Sequence, residues 1–294
     1  MLKAHIAVLS AGCMWGAVGI FVRSFDALGY SPLTIVFVRM FIAFIILFAF
    51  LYIFNRNLLC IKIKDIWLFI GAALTSAIAL NLFYSISTVM NSLALAAVLL
   101  ATAPFFVIFT SAIMFKEKIT PVKLTALFIV FAGCVLTSGF IGSGAIFNPL
   151  GVLVGVLSGT GYAFYSIFSR FALNKGYDSL TINVYSFGIG AIACIPFTNF
   201  GVIAKSISAE PAHTGVLLLA HALFVSLLPY VLYTYGMKYM DTGKAAILVS
   251  VEPAAAAVFG VVLYHEIPTV ICLAGMVLVI GAIILLNLFG ERKL

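Results

Sequence analysis

The sequence predicts an all-α membrane protein with ten transmembrane helices arranged as two inverted five-helix repeats. Three observations predict it. Hydrophobic residues make up 64% of the chain and charged residues only 9%, at a mean hydropathy of +1.25. A soluble domain carries about 25% charged residues, so water is not the main solvent of this surface. The apolar residues gather into runs close to the length of about 20 residues that a bilayer crossing needs. The chain also repeats itself: residues 242–266, TGKAAILVSVEPAAAAVFGVVLYHE, echo residues 93–117, LALAAVLLATAPFFVIFTSAIMFKE, at an offset of 149.

Both copies of the echo place a proline (Pro104, Pro253) inside the apolar run and a glutamate (Glu117, Glu266) thirteen residues later. A proline within a helix removes a hydrogen bond, so its recurrence at matched depth marks a duplication. The match extends to an offset of 147, where Gly12, Trp15, Gly16, Ile20, Phe21 and Arg23 face Gly159, Tyr162, Ala163, Ile167, Phe168 and Arg170. Tyr84 is paired with Tyr233.

Span 1 (4–23) lacks a small-residue cleavage pattern and reads as a first crossing, not a signal peptide. Span 2 (32–54) is apolar apart from Arg39, and span 3 (66–88) carries Asn81, Tyr84, Ser85 and Thr88 on one face. Span 4 (92–115) contains Pro104, and span 5 (121–139) closes the first repeat, 4–139. The uncharged stretch 140–149 joins it to the second, 150–290. Span 6 (150–172) has a Gly151, Gly155, Gly159 seam for close packing and a stripe of Ser158, Tyr162, Tyr165 and Ser169 at helical spacing. Span 7 (179–199) is followed by span 8 (213–237), which holds His221, Ser226, Pro229, Tyr230 and Tyr233. Span 9 (243–264) carries Glu252 and Pro253, and span 10 (268–289) ends the set.

Lysine and arginine placement orients the chain. With the N-terminus inside, Lys3, Arg56, Lys62, Lys64, Lys116, Lys118, Lys123, Arg170, Lys175, Lys238, Lys244, Arg292 and Lys293 fall on the cytoplasmic side, leaving Arg23 and Lys205 outside. Both termini are therefore expected in the cytoplasm of a cell-membrane protein. Five spans per repeat is an odd number, so the second repeat enters from the opposite side. Such inverted repeats place a site at the midplane between halves and open it alternately to each side. The net charge of +7 follows this loop bias and anionic lipid, and nucleic acid is not an expected partner.

Few residues offer chemistry. Glu252 lies about nine residues into span 9, roughly 13 Å deep at the helical rise. A charge at a helix centre costs about 2.5–3.5 kcal/mol to insert, so an intramembrane carboxyl is a functional candidate. Burial favours its neutral form, which makes it a candidate proton carrier, as against a protonated carboxyl that bonds a neighbouring helix. His221 and Arg39 are the other coupling candidates. For Arg39 the alternatives are an anion or Glu252 as partner, against a side chain that snorkels outward or holds backbone carbonyls. Pro104, Pro253 and Pro229 free the carbonyls of Leu100, Val249 and Val225, which can bind a solute, permit bending or bond a neighbour. The hydroxyl stripes, with Trp15, Asn81, Tyr84, Ser158, Tyr162, Tyr165, Tyr230 and Tyr233 as cavity candidates, either line a central space or bond helix to helix. The five cysteines form no CxxC pair, and neither a metal site nor a disulfide framework is expected. No phosphate-binding GxxxxGK[ST] sequence is present, and no cofactor is expected.

In this order and spacing, Trp15-Gly16, Arg39, Glu252-Pro253 and the twice-used proline-to-glutamate helix ending at Phe115-Lys116-Glu117 and Tyr264-His265-Glu266 resemble the drug/metabolite transporter superfamily, EamA type. The resemblance covers nearly the whole chain. It implies a central cavity lined chiefly by spans 1, 3, 4, 6, 8 and 9, with spans 5 and 10 peripheral. It also implies secondary transport by alternating access of a small polar or zwitterionic metabolite, amino acids leading and export preferred. Related small multidrug-resistance proteins bind cations through a glutamate in their first helix; spans 1 and 6 as read here contain no carboxylate, which argues against that chemistry. Proton coupling and uncoupled facilitation of amino acids or nucleosides stay open, and so does oligomeric state. A membrane enzyme needs a polar cluster at one surface and a channel needs a ring of charge or a filter-like repeat; the sequence shows neither.

Overall fold

The computed structural model describes residues 2–141, 148–265 and 267–289. Among them, nine helical stretches are long and apolar enough to cross a bilayer: Leu2–Ala27, Pro32–Phe54, Ile63–Met90, Leu93–Phe115, Pro149–Asn174, Ser179–Phe197, Pro211–Met237, Thr242–Tyr264 and Val270–Phe289. The shorter apolar helix Pro121–Thr137 takes the place of span 5, giving ten spans in two sets of five. A further short helix, Phe200–Ala209, connects spans 7 and 8.

Local sequence explains where the spans begin. Ser31-Pro32, Thr120-Pro121 and Asn148-Pro149 each put a side-chain oxygen over the first turn and a proline at its start. The oxygen accepts from an otherwise orphaned N–H, and proline loses nothing where no helical donor is needed. Asp178 and Ser92 cap spans 7 and 4 in the same way. Spans 4 and 9 end alike, with Lys116 (φ 57°) and His265 (φ 54°) in the left-handed region. Glu266 lies outside the described residues, as does most of the stretch joining the repeats.

Five spans are not the plain helices that hydropathy suggests. Span 1 runs on to Ala27 past an interruption at Ala17, so it takes in Asp26, exposed in its last turn. Spans 3 and 8 each contain a π-helical segment, Leu74–Ala79 and Ala222–Leu227, at an offset of 148. Spans 4 and 9 are both broken two to three residues before the proline, into Leu93–Leu100 plus Ala103–Phe115 and Thr242–Val249 plus Glu252–Tyr264.

Glycines let other helices approach those breaks. A Cβ on Gly12 would stand 2.6 Å from the Val249 carbonyl oxygen, and one on Gly16 would stand 2.8 Å from that of Glu252. Span 1 therefore lies backbone-to-backbone on the broken segment of span 9. Span 6 treats span 4 in the same way: a Cβ on Gly159 would meet the Thr102 hydroxyl at 2.9 Å and the Leu99 carbonyl at 3.2 Å. Spans 5 and 10 pair through Gly133 and Gly275, each abutting the other's carbonyl.

The connections separate onto two faces. Residues near 4, 58–65, 117–123, 170–178 and 236–243 approach one another on the face that carries the N-terminal end of span 1. Residues near 30, 91, 148, 199 and 206 make contacts on the opposite face.

Candidate functional site

The two π segments and the two breaks lie midway along their spans and converge on an aromatic cluster. Trp15 meets Tyr162 edge to face with centroids 6.1 Å apart, and meets Tyr230 at 5.2 Å. Tyr233 lies 5.6 Å away, and Tyr165 stands against Tyr230 at 5.1 Å. Edge-to-face contacts suit the ring quadrupoles and fix such rings in place.

Each π segment has found its own solution for displaced carbonyls. In span 8, Pro229 removes the donor for Val225, and the Trp15 indole N–H donates to that carbonyl at 3.1 Å. In span 3 no proline is present; the Asn81 amide turns back to donate to the carbonyls of Ser76 at 2.7 Å and Ala77 at 3.2 Å. The freed Val225 carbonyl is thus satisfied within the protein. The Val249 carbonyl lies under Gly12, covered by span 1.

The predicted hydroxyl stripes divide. On span 6, Ser158 and Tyr165 are buried: the Ser158 hydroxyl donates to Gly155 of its own helix at 2.6 Å, and the Tyr165 hydroxyl donates to Asn183 of span 7 at 3.1 Å. Tyr233 is fully buried and shares a 2.9 Å bond with Ser166. Ser158 is thus spent on its own helix, while Tyr165 and Tyr233 tie span 6 to spans 7 and 8. The span 3 face differs. Asn81, Tyr84, Ser85 and Thr88 are all half-buried, with Ser85 and Thr88 donating to their own helix at 2.8 and 2.7 Å. Tyr162 keeps a buried hydroxyl with no hydrogen-bond partner among the described residues.

Glu252 is the first residue of the helix that restarts after the break in span 9. It is half-buried and lies within electrostatic reach of Tyr84, Cys134, Tyr162 and Tyr230, which come from spans 3, 5, 6 and 8. A carboxylate at a helix N-terminus is favoured by the helix dipole. Arg39 neither snorkels nor holds carbonyls. It is 7% exposed, makes one long contact of 3.5 Å to the Asn81 side-chain oxygen, and leaves its Nε–H unpaired. His221 is 1% exposed, tilted against the rings of Phe21 and Phe25 at 5.2 and 5.0 Å, and its Nδ1 has no partner among the described residues.

Sequence reading missed the closure of the N-terminal face. Glu117, just past the end of span 4, accepts from the backbone N–H of Thr242 at 2.8 Å and of Gly243 at 3.1 Å, so it caps span 9. Arg170 at the end of span 6 stands 3.9 Å from Glu117, donates to the Thr242 hydroxyl at 2.6 Å, and also bonds the Met240 carbonyl. Lys123 pairs with Asp241 at 3.2 Å, while Asp65 is held by Lys175 and by Tyr177 at 2.8 Å. The signal was available: the matched glutamates and the matched Arg23 and Arg170 are both in the repeat.

Fold and centre together define a duplicated, all-helical membrane protein whose polar groups collect where two broken and two bulged spans meet. The model of the EamA-like transporter family matches residues 2–139 and again 149–288. The chain belongs to that family. An uncharacterized transporter of Archaeoglobus fulgidus is 27% identical over 298 residues, covering 97% of this chain and 96% of that one. The uncharacterized transporter YoaV of Bacillus subtilis is 25% identical over 100% of both chains. A solved crystal structure superposes with a TM-score of 0.79 over 99% of each chain at 17% identity, a likeness of fold.

Proposed function

We propose that this membrane transporter moves a small polar or zwitterionic metabolite, with amino acids leading and export the preferred direction, by alternating access. Its termini lie in the cytoplasm. The solute binds between the halves, against Trp15, Asn81, Tyr84, Tyr162 and Tyr230, with Glu252 as the proton-coupling residue. The observation that carries the reading is the uneven packing of span 9. All eight residues of Thr242–Val249 are buried, whereas in Glu252–Tyr264 only Ala254 is. One side of the centre is sealed by the Glu117 and Arg170 ties, and the loosely packed side begins at Glu252. That is the asymmetry expected of one state in an alternating cycle.

Counterflow of labelled amino acids into proteoliposomes tests the reading. Exchange of solute without turnover or ion current is the expected result; chemical conversion of the solute would identify an enzyme, and current without exchange a channel. Glu252→Gln is expected to flatten the dependence of exchange on pH while leaving the protein folded. An unchanged pH profile would leave uncoupled facilitation as the mechanism.

A further inference from the structure

Arg39 is a buried cation whose Nε–H has no hydrogen-bond partner among the described residues. A guanidinium carries five N–H donors. Here it is 7% exposed, and among the described residues its hydrogen bond to the Asn81 side-chain oxygen is stretched to 3.5 Å. Buried polar groups are normally paired, and each exception calls for an explanation. A cation at membrane depth is costly and ordinarily takes an acidic or carbonyl partner. Glu252, the carboxyl where span 9 restarts, forms no ion pair with it among the described residues. The other groups near the guanidinium are the Asn81 side-chain oxygen, the Tyr230 hydroxyl, the Cys194 thiol and the neutral or cationic ring of His221, none of them anionic at neutral pH.

We propose that Arg39, with the Tyr230 hydroxyl beside it, is the anion subsite of the transporter and receives the carboxylate of the solute. A planar fork of donors matches a carboxylate in two parallel bonds, and the unpaired Nε–H supplies one of them. Glu252, half-buried where span 9 restarts, is then the carboxyl available to the cationic end. A guanidinium and an ionisable carboxyl that form no ion pair with each other suit a molecule carrying both charges. The cargo class is thereby an α-amino acid or a similar short zwitterion, and its carboxylate binds Arg39. Naming the ligand as cargo rests on the transport reading; the anion subsite itself does not.

The test is binding to the purified protein, read as thermal stabilisation, because a ligand raises stability in proportion to its affinity. The probes are matched pairs in which the carboxylate is retained or converted to the amide: phenylalanine and phenylalaninamide, alanine and alaninamide, butyrate and butyramide, with inorganic phosphate alongside. The wild type is expected to bind the carboxylate member of a pair at least tenfold more tightly. Arg39→Gln is expected to abolish that preference while binding of the amides is kept, and Arg39→Lys is expected to restore part of it if the glutamine variant folds poorly. Equal affinity for both members of every pair in the wild type, or a preference undiminished in a folded Arg39→Gln protein, would overturn the subsite. Stronger stabilisation by phosphate than by any carboxylate would overturn the carboxylate assignment. Transport is read separately by counterflow: carboxylate-selective binding with no exchange of any bound solute would sink the transport reading and leave Arg39 in place.

Discussion

The breaks in spans 4 and 9 are the same device in two orientations, and they differ by one side chain. Both spans stop before a proline, restart after a gap of two residues, are approached by glycines of the partner span, and end on a left-handed residue. The residue ahead of the proline is Ala103 in the first copy and Glu252 in the second. Span 2 and span 7 show the converse. At the offset of 147, Arg39 of the first copy stands where the second has Ser186. The duplicated scaffold is built from small residues and prolines, which set backbone geometry. The charges are placed where the copies diverge, one in each half. The two halves therefore share a backbone plan and differ in where an intramembrane charge sits.

The same comparison extends to the ends of the two broken spans. Glu117 caps span 9 and is braced by Arg170, whereas on the opposite face Arg23 lies over the Tyr264 ring at 4.5 Å and the start of span 4 is capped by Ser92. Breaking the closed end is the largest perturbation to expect. Glu117→Ala removes the acceptor of two N–H groups and leaves Arg170 without its carboxylate; uncoupling a buried pair costs about 3 kcal/mol. In a cysteine-free background carrying Leu248→Cys, that substitution is also expected to speed maleimide labelling at residue 248, which is fully buried behind this face. An unchanged labelling rate would show that the tie does not hold the face closed.

Next come the paired glycines, which ask whether the copies are equally tight. Gly12→Ala drives a methyl onto the Val249 backbone oxygen and is expected to cost about 2 kcal/mol by overpacking. Gly159→Ala should cost less, because its nearest obstacle is the Thr102 hydroxyl, which can rotate. Thermal unfolding that ranked them in reverse order would mean that the break in span 4 is the stiffer one. Trp15→Phe keeps the ring contacts but orphans the Val225 carbonyl, for an expected loss of about 1 kcal/mol. At the bottom of the scale, Gly19→Ala meets nothing within 4 Å and is expected to move stability by less than about 0.5 kcal/mol.

By itself, the sequence determined the number and order of the spans, the duplication, the inversion and the recurrence of the proline breaks. It did so because solvation by lipid is a sum over local side chains, and because repeated residues at fixed offsets need no knowledge of contacts. It also marked Arg39 and Glu252 as charges out of place. Tertiary structure alone decided which polar face packs and which stays open: the stripes of spans 3 and 6 look equivalent as patterns, yet Tyr165 finds Asn183 across the helix boundary while Asn81 bonds its own backbone. It decided too that Trp15 would satisfy the carbonyl released by Pro229, that two spans would each hold a wider turn, and that Glu117 would cap a helix 125 residues away. Those outcomes depend on which groups meet across long separations, and hydrogen-bond partners at such distances leave no periodic trace along the chain.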